Sequence, residues 1–338
     1  MKTALGIACA LALGALPLSA AAAGSKYSQH NLVSDQAGQA DTTDTELVNP
    51  WGVSHAGNNL PNWVSDNGTD RSTVYSRTNG SKSLSVGVAG APTGTVSNST
   101  GGFIVTKGAN SGSASFLFDT ESGTILGWSQ SVDANNAVVA VDNSAKGSAY
   151  KGLAIDAPSK QLYAADFLKN QVQIYDTNFK LVGHFTDTAL PKHFAPFNVT
   201  ELNGKLYVAF AKRKKGGIDE VDKKGLGYVD VFDTGGNLQQ RLIANGNLDA
   251  PWGMTIAPSG FGQFANALLV GNFGNGKINA YDPNTGAYLG TLKGTNGKTL
   301  VIDGLWSVDA GPATNQVTFT AGPDDEQHGL LGLLTLAQ

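Results

Sequence analysis

An all-β fold, a six-bladed β-propeller of four-stranded antiparallel blades, follows from three observations on this sequence. One short pattern recurs at intervals of 44 to 55 residues, strand-like alternation replaces helical spacing almost everywhere, and the last copy is too short to finish a blade. The pattern is a small residue or proline, a large apolar residue, a small or polar residue, then a β-branched or apolar one. Its copies are Pro50-Trp51-Gly52-Val53, Gly102-Phe103-Ile104-Val105, Gly152-Leu153-Ala154-Ile155, Pro196-Phe197-Asn198-Val199, Pro251-Trp252-Gly253-Met254 and Leu305-Trp306-Ser307-Val308. Each reads as the inner strand of a blade.

A second strand follows after about ten residues in several units, as in Trp63-Val64-Ser65-Asp66, Leu162-Tyr163-Ala164-Ala165-Asp166 and Leu268-Leu269-Val270-Gly271-Asn272. Third strands alternate, as in Val172-Gln173-Ile174-Tyr175 and Val229-Asp230-Val231-Phe232. Hairpin signals such as Thr234-Gly235-Gly236-Asn237 and Pro283-Asn284-Thr285-Gly286 then lead to a fourth. Only 32 residues follow Trp306, while residues 24–50 belong to no unit. The segment Tyr27–Val33 is therefore expected to complete the last blade, closing the ring and covering its edges.

Residues 1–23 carry Lys2, then an apolar stretch and a run of alanines before Gly24, the pattern of a secretory signal peptide. Cleavage there removes Cys9, the one cysteine, and leaves residues 24–338 as a single propeller domain. The expectation is an exported protein, periplasmic or extracellular, monomeric, without a transmembrane segment. With 41% hydrophobic residues and a formal charge of -4, the chain is neither disordered nor equipped to bind nucleic acid, which calls for a basic face.

The stretches Leu47-Val48-Asn49-Pro50-Trp51-Gly52-Val53, Phe116–Trp128, Tyr150-Lys151-Gly152-Leu153-Ala154 and Ala321–Gly329 together resemble a family of uncharacterised bacterial secreted proteins with NHL-like propeller repeats. Many of its members end in a PEP-CTERM sorting tail, which this sequence lacks. The resemblance implies the propeller fold and carries no established activity.

In a propeller, equivalent positions from different blades converge on the central channel. Asp66, Asp166 and Asn272 are equivalent by this count, as are Gly52, Asn198, Gly253 and Ser307, while Asn49, Lys151 and Asp303 precede inner strands. Asp66, Asp166, Asn198, Asn272 and Asp303 are the candidate metal ligands, since a ring of oxygens suits calcium. This arrangement resembles the calcium site of six-bladed lactonase and phosphotriesterase propellers. The plain alternative is that these side chains cap turns at strand ends.

The densest polar run is Gly322-Pro323-Asp324-Asp325-Glu326-Gln327-His328-Gly329. It supplies His328 and Glu326 as candidate catalytic residues, and Asp324 joins Asn49 and Lys151 as candidate ligand-binding residues. The bland reading has His328 and Glu326 packing against the closing N-terminal strand. The run Lys212-Arg213-Lys214-Lys215, continued by Asp219, Glu220 and Asp222, reads first as a solvated excursion and second as a lid. Trp51, Trp252 and Trp306 read as pegs between blades, with a stacking platform as the alternative.

No nucleophile elbow, zinc motif or phosphate loop is present. The preferred function is a binding module for a glycan, peptide or envelope protein. The competing one is a calcium-dependent hydrolase or lyase acting on a lactone, ester or phosphoester in the channel.

Overall fold

The computed structural model describes residues 24–337. The signal peptide expected over residues 1–23 lies outside them. Six antiparallel sheets surround a central axis, and the chain visits them in order. Blade I holds Pro50–Ser54, Asn62–Asp66, Arg71–Tyr75 and Lys82–Gly87. Blade II holds Pro92–Ser97, Phe116–Thr120, Thr124–Trp128 and Val138–Asp142. Blade III holds Tyr150–Asp156, Gln161–Asp166, Gln171–Tyr175 and Leu181–Phe185. Blade IV holds Phe194–Leu202, Lys205–Lys212, Tyr228–Phe232 and Leu238–Ala244. Blade V holds Pro251–Ile256, Leu268–Asn272, Ile278–Tyr281 and Tyr288–Thr291.

Blade VI takes three strands from the C-terminal end, Leu305–Ala310, Gln316–Ala321 and Leu330–Leu336, and its outer strand from the N-terminal one, Tyr27–Ser34. The pairing runs antiparallel from Tyr27↔Leu336 to Ser34↔Leu330. The expected closure is what the sheets show. It gives the edge of Leu330–Leu336 a partner, and it ties the two ends of the chain through one hydrogen-bonded ladder.

The second unit is placed differently from the sequence expectation. The inner strand of blade II is Pro92–Ser97, and Phe103-Ile104-Val105 leads into an inserted hairpin, Ile104–Lys107 with Asn110–Ser113. Phe103 is fully buried against blade III, where it stacks edge-on with Phe179. An apolar residue flanked by glycine satisfied the pattern there for a reason of local packing. The true copy, Pro92-Thr93-Gly94-Thr95, hides because a threonine stands where the other blades carry a large side chain.

Six apolar clusters fill the six blade-to-blade interfaces. Trp63, Val86, Phe116 and Trp128 lie between blades I and II, and Phe185, Phe194, Phe210 and Phe232 between III and IV. Leu32, Val33, Val64, Leu331 and Leu333 lie between VI and I, so the N-terminal strand contributes to the core as well as to the ladder. A seventh cluster stands on the axis, made of Trp51, Phe167, Phe197, Trp252 and Trp306.

Bulges in the inner strands generate this axial plug. Register shifts fall between Pro50 and Val53, Pro251 and Met254, and Leu305 and Val308, each giving the inner strand one extra residue. The residue after the tryptophan then abuts the next inner strand. A β-carbon on Gly52 would lie 2.7 Å from the Thr93 carbonyl oxygen, one on Gly94 2.4 Å from the Leu153 nitrogen, and one on Gly253 2.5 Å from the Trp306 carbonyl oxygen. Where the position is not glycine, the side chain bonds across the same gap. Asn198 Nδ2 donates to the Trp252 carbonyl at 2.8 Å, and Ser307 Oγ donates to the Trp51 carbonyl at 2.8 Å.

Gly94→Ala is expected to destabilise the protein by about 2–3 kcal/mol, because the colliding atom is backbone in the neighbouring blade. Gly183→Ala, whose nearest neighbour would be 3.5 Å away, is the matched control with little expected change. Denaturant unfolding of both variants tests this, and equal loss would contradict the close-approach explanation.

Candidate functional site: the roofed mouth of the channel

The plug divides the channel into two openings. One is a funnel of about 260 Å³ lined by the far halves of the inner strands, with His55 and Asp309 3.7 Å apart at its rim. The other is a polar cavity of about 440 Å³. Trp51, Trp306 and Phe273 form the apolar side of this second cavity. Trp51 and Trp306 stack at 3.5 Å between ring centroids, and Phe273 stacks on Trp306 at 4.0 Å.

The excursion of blade IV forms the roof. Lys214, Ile218, Asp219, Glu220 and Asp222 all line the cavity, so the lid alternative describes this segment better than the solvated-loop one. Its hairpin form comes from a bridge between Arg213 and Glu220 and from Lys214 N donating to the Asp219 carbonyl at 2.8 Å. Arg213 holds it to blade III by donating Nη1 to the Phe167 and Leu168 carbonyls at 3.0 and 2.6 Å.

Blade VI supplies the opposite wall through Asp303, Asp325 and Glu326. Asp324, Asp325 and Glu326 all occupy the left-handed region, with φ of 57°, 52° and 66°. Such a conformation costs about 1–2 kcal/mol per residue for an L-amino acid. Asparagine and aspartate tolerate it better than glutamate does, so Glu326 is the most strained of the three. Glu326 N donates back to the Gly322 carbonyl at 3.1 Å, and Asn49 Nδ2 donates to Glu326 Oε2 at 2.6 Å. Asn49 in turn accepts the Trp306 Nε1 proton at 2.9 Å, which couples the carboxylate wall to the aromatic plug.

Lys151 completes the site from blade III. Strand pairing shifts the third copy by two residues from the sequence expectation: Leu153 matches Val53 and Tyr150-Lys151-Gly152 aligns with Pro50-Trp51-Gly52, so Lys151 stands where other blades place an axial aromatic. Its side chain is buried, its ammonium pairs with Glu121, and it lies 4.9 Å from the centre of the Trp51 ring. Burial pushes the Glu220 carboxyl up to about 7, with Asp222 and Glu326 adding to the rise and Lys151 opposing it. Glu326 is raised by burial as well, against the Asn49 hydrogen bond and the Lys151 charge.

The residues singled out from sequence divide between this cavity and structural duties. Lys151, Asp303 and Glu326 line the cavity, and Asn49 lies directly beneath it. Asp324 is exposed, its backbone nitrogen donating to Asp303 Oδ2 at 2.9 Å. His328 parts from Glu326: its Nδ1 is 2.8 Å from Asp35 Oδ2, and Gly329 N donates to the other oxygen of the same carboxylate. The His328 side chain therefore ties blade VI to the end of the N-terminal strand, as the bland reading had it, while Glu326 turns to the cavity.

Asp66 accepts from Thr73 N and Oγ1 at 3.0 and 2.7 Å, and Asp166 accepts from Ala149 N, Lys169 N and Gln173 Nε2. Asn272 bridges Asp249 N and the Asn247 carbonyl, and Asn198 belongs to the inner ring. Asp66, Asp166 and Asn272 organise turns and strands around their own blades, because a strand-end carboxylate or amide finds backbone partners there first, while Asn198 bonds the inner strand of the next blade. Among the described residues no group of three or more His, Cys, Asp or Glu is arranged to hold a metal ion. Nothing in the sequence marked Glu121 or Phe273 as site residues, whereas Glu220, Asp222 and Asp325 stood out there only as members of charged runs. Only the equivalence of Lys151 with the axial aromatics, visible once the blade frame is right, would have pointed to the mouth.

Comparison with known proteins places the chain among viral relatives. No protein-family model matches it. The uncharacterized protein R648 of Acanthamoeba polyphaga mimivirus is 32% identical over 317 residues, covering 89% of this chain and 78% of the relative. The uncharacterized protein L690 of the same virus is 32% identical over 323 residues, covering 91% of this chain and 85% of the relative. The chain belongs to the family of these uncharacterized proteins. A further mimivirus protein, R640, is 30% identical over 210 residues, 60% of this chain and 39% of its own length.

This corrects the expected membership in the bacterial secreted NHL-like family with PEP-CTERM tails, since the relatives are viral and no family model matches. The quoted motifs mark the architecture rather than a lineage. A bulged inner strand whose next residue is glycine, or a polar residue that bonds across the gap, meets the close approach of neighbouring inner strands in this structure.

Glu220 sets a testable pH dependence. Its carboxyl binds a proton more tightly in the folded state, about 7 against an ordinary value of 4.5. Stability therefore falls as pH rises from 4.5 to 7, and the penalty, about 3 kcal/mol at most, is fully present above 7. Glu220→Gln is expected to be more stable than the wild type at pH 8, with the difference vanishing near pH 4. Equal stability at pH 8 would contradict the buried placement.

Proposed function

We propose that this propeller is a binding module that captures part of a glycan, peptide or protein partner in the roofed cavity at the mouth of its channel. One observation carries the reading: an aromatic floor and polar walls enclose about 440 Å³ beneath a segment hooked in place by Arg213. Ligand sites commonly combine an apolar surface with a few convergent polar groups in a concavity of this size. The export signal read in residues 1–23 supports a partner met outside the cytoplasm. Among the described residues no helix is long and apolar enough to cross a membrane.

Tryptophan emission offers a direct assay, because Trp51 and Trp306 form part of the cavity surface. In screens of glycans and peptides, a ligand is expected to change that emission. Phe273→Ala and Arg213→Ala are each expected to weaken its binding roughly tenfold, about 1.4 kcal/mol. Full affinity in both variants would move the site elsewhere.

A hydrolytic reading has one supporting observation, a carboxyl pushed to about 7 within a cavity, suited to general acid–base work at neutral pH. Calcium has weaker support, because Asp66, Asp166, Asn198 and Asn272 are engaged within the blade framework. Chelation is accordingly expected to leave the thermal midpoint unchanged. A drop reversed by added calcium would revive the metal-dependent alternative.

A further inference from the structure

The charges at the mouth are unbalanced in one direction. Seven carboxylates line it, against the two ammonium groups of Lys151 and Lys214. Both of those are already committed, Lys151 to Glu121 beside the Trp51 ring and Lys214 to Asp219, 3.8 Å away at the exposed edge. Glu220 is the decisive residue. It is 6% exposed, lines the cavity from the roof, and among the described residues its carboxyl has no hydrogen bond or ion pair to another residue, only its own backbone N–H. Burying a carboxylate without a partner is costly, and a ligand cation entering the cavity would supply that partner.

Three consecutive left-handed residues bring Asp325 and Glu326 to the opposite wall, so that acids face each other across the cavity. The floor sets the kind of cation. Lys151 already places an ammonium against the Trp51 ring, and the stacked Phe273 and Trp306 extend the apolar surface, which suits an organic cation rather than a hydrated metal ion.

We propose that the mouth recognises an organic cation, an ammonium or guanidinium group on a short apolar or sugar body, with Glu220 as its charge partner. This rests on the binding-module reading above and names the chemistry of its ligand. A basic peptide side chain, a polyamine and an amino sugar all carry such a group.

Titration calorimetry and tryptophan emission on the whole protein test it, with Nα-acetyl-lysine amide, spermidine and glucosamine as cations and N-acetylglucosamine as a neutral match. At least one cationic probe is expected to bind, and the three arms identify its source. Glucosamine, if it is the binder, is expected to bind at least about tenfold more tightly than its neutral match. Glu220→Gln is expected to weaken cation binding about tenfold without lowering the thermal midpoint, which separates lost recognition from lost folding. Failure of every cationic probe to bind, or undiminished affinity in Glu220→Gln, overturns the inference. Preference for the neutral sugar, with binding lost in Phe273→Ala, overturns the cation but leaves the binding-module reading standing. Binding indifferent to both substitutions overturns the two together.

Discussion

Six inner strands must approach one axis closely enough to close a ring, and most of this structure follows from that crowding. Gly52, Gly94, Gly152 and Gly253 lie against the neighbouring inner strand with no room for a β-carbon, while Asn198 and Ser307 reach across to the next blade with a hydrogen bond. The bulges that admit these contacts also bring the preceding residue to the axis. A tryptophan at that point fills space that six converging backbones leave empty, and the result is an apolar plug where an open channel would otherwise run.

The plug decides where chemistry can occur. With the axis filled by Trp51, Phe197, Trp252 and Trp306, cavities open at the two mouths, and the larger, polar one lies under the excursion of blade IV. Lys151 shows the principle in one residue. It takes an axial position, but its ammonium needs a partner, and Glu121 and the Trp51 ring provide one at the boundary between plug and cavity. Around it the acids crowd each other in a partly desolvated space. Burial and like charge therefore raise Glu220 and Glu326 while surface acids such as Asp282, which accepts backbone hydrogen bonds, are lowered.

Motif reading worked best where a single physical demand leaves one solution. Pro50-Trp51-Gly52 and Pro251-Trp252-Gly253 announced inner strands because bulge and close approach require that kind of sequence. The same demand explains why the motif misled on ancestry, since packing at the axis favours such residues whatever the lineage. It misled on blade II as well: Phe103 satisfies a similar local need in an inserted hairpin, while Thr93 keeps the true strand inconspicuous by bonding Asp119 and the Tyr150 carbonyl. Equivalent positions at strand ends, Asp66, Asp166 and Asn272, were rightly matched to one another, yet their oxygens meet local backbone donors before they meet a shared centre.

By itself the sequence determined the all-β class, the six blades and the closure of the last blade by a strand over Tyr27–Val33, because strand alternation and repeat length are local properties written along the chain. Tertiary structure alone decided that Glu121, Lys151, Glu220 and Glu326 share one cavity. They come from four different blades, and no spacing relates them. What unites them is the direction in which each loop leaves its blade, and that is set by ring closure, the roof's anchorage on Arg213 and a left-handed turn at Asp324–Glu326. Local patterning specifies strands, whereas the meeting of distant loops depends on packing that no single segment encodes.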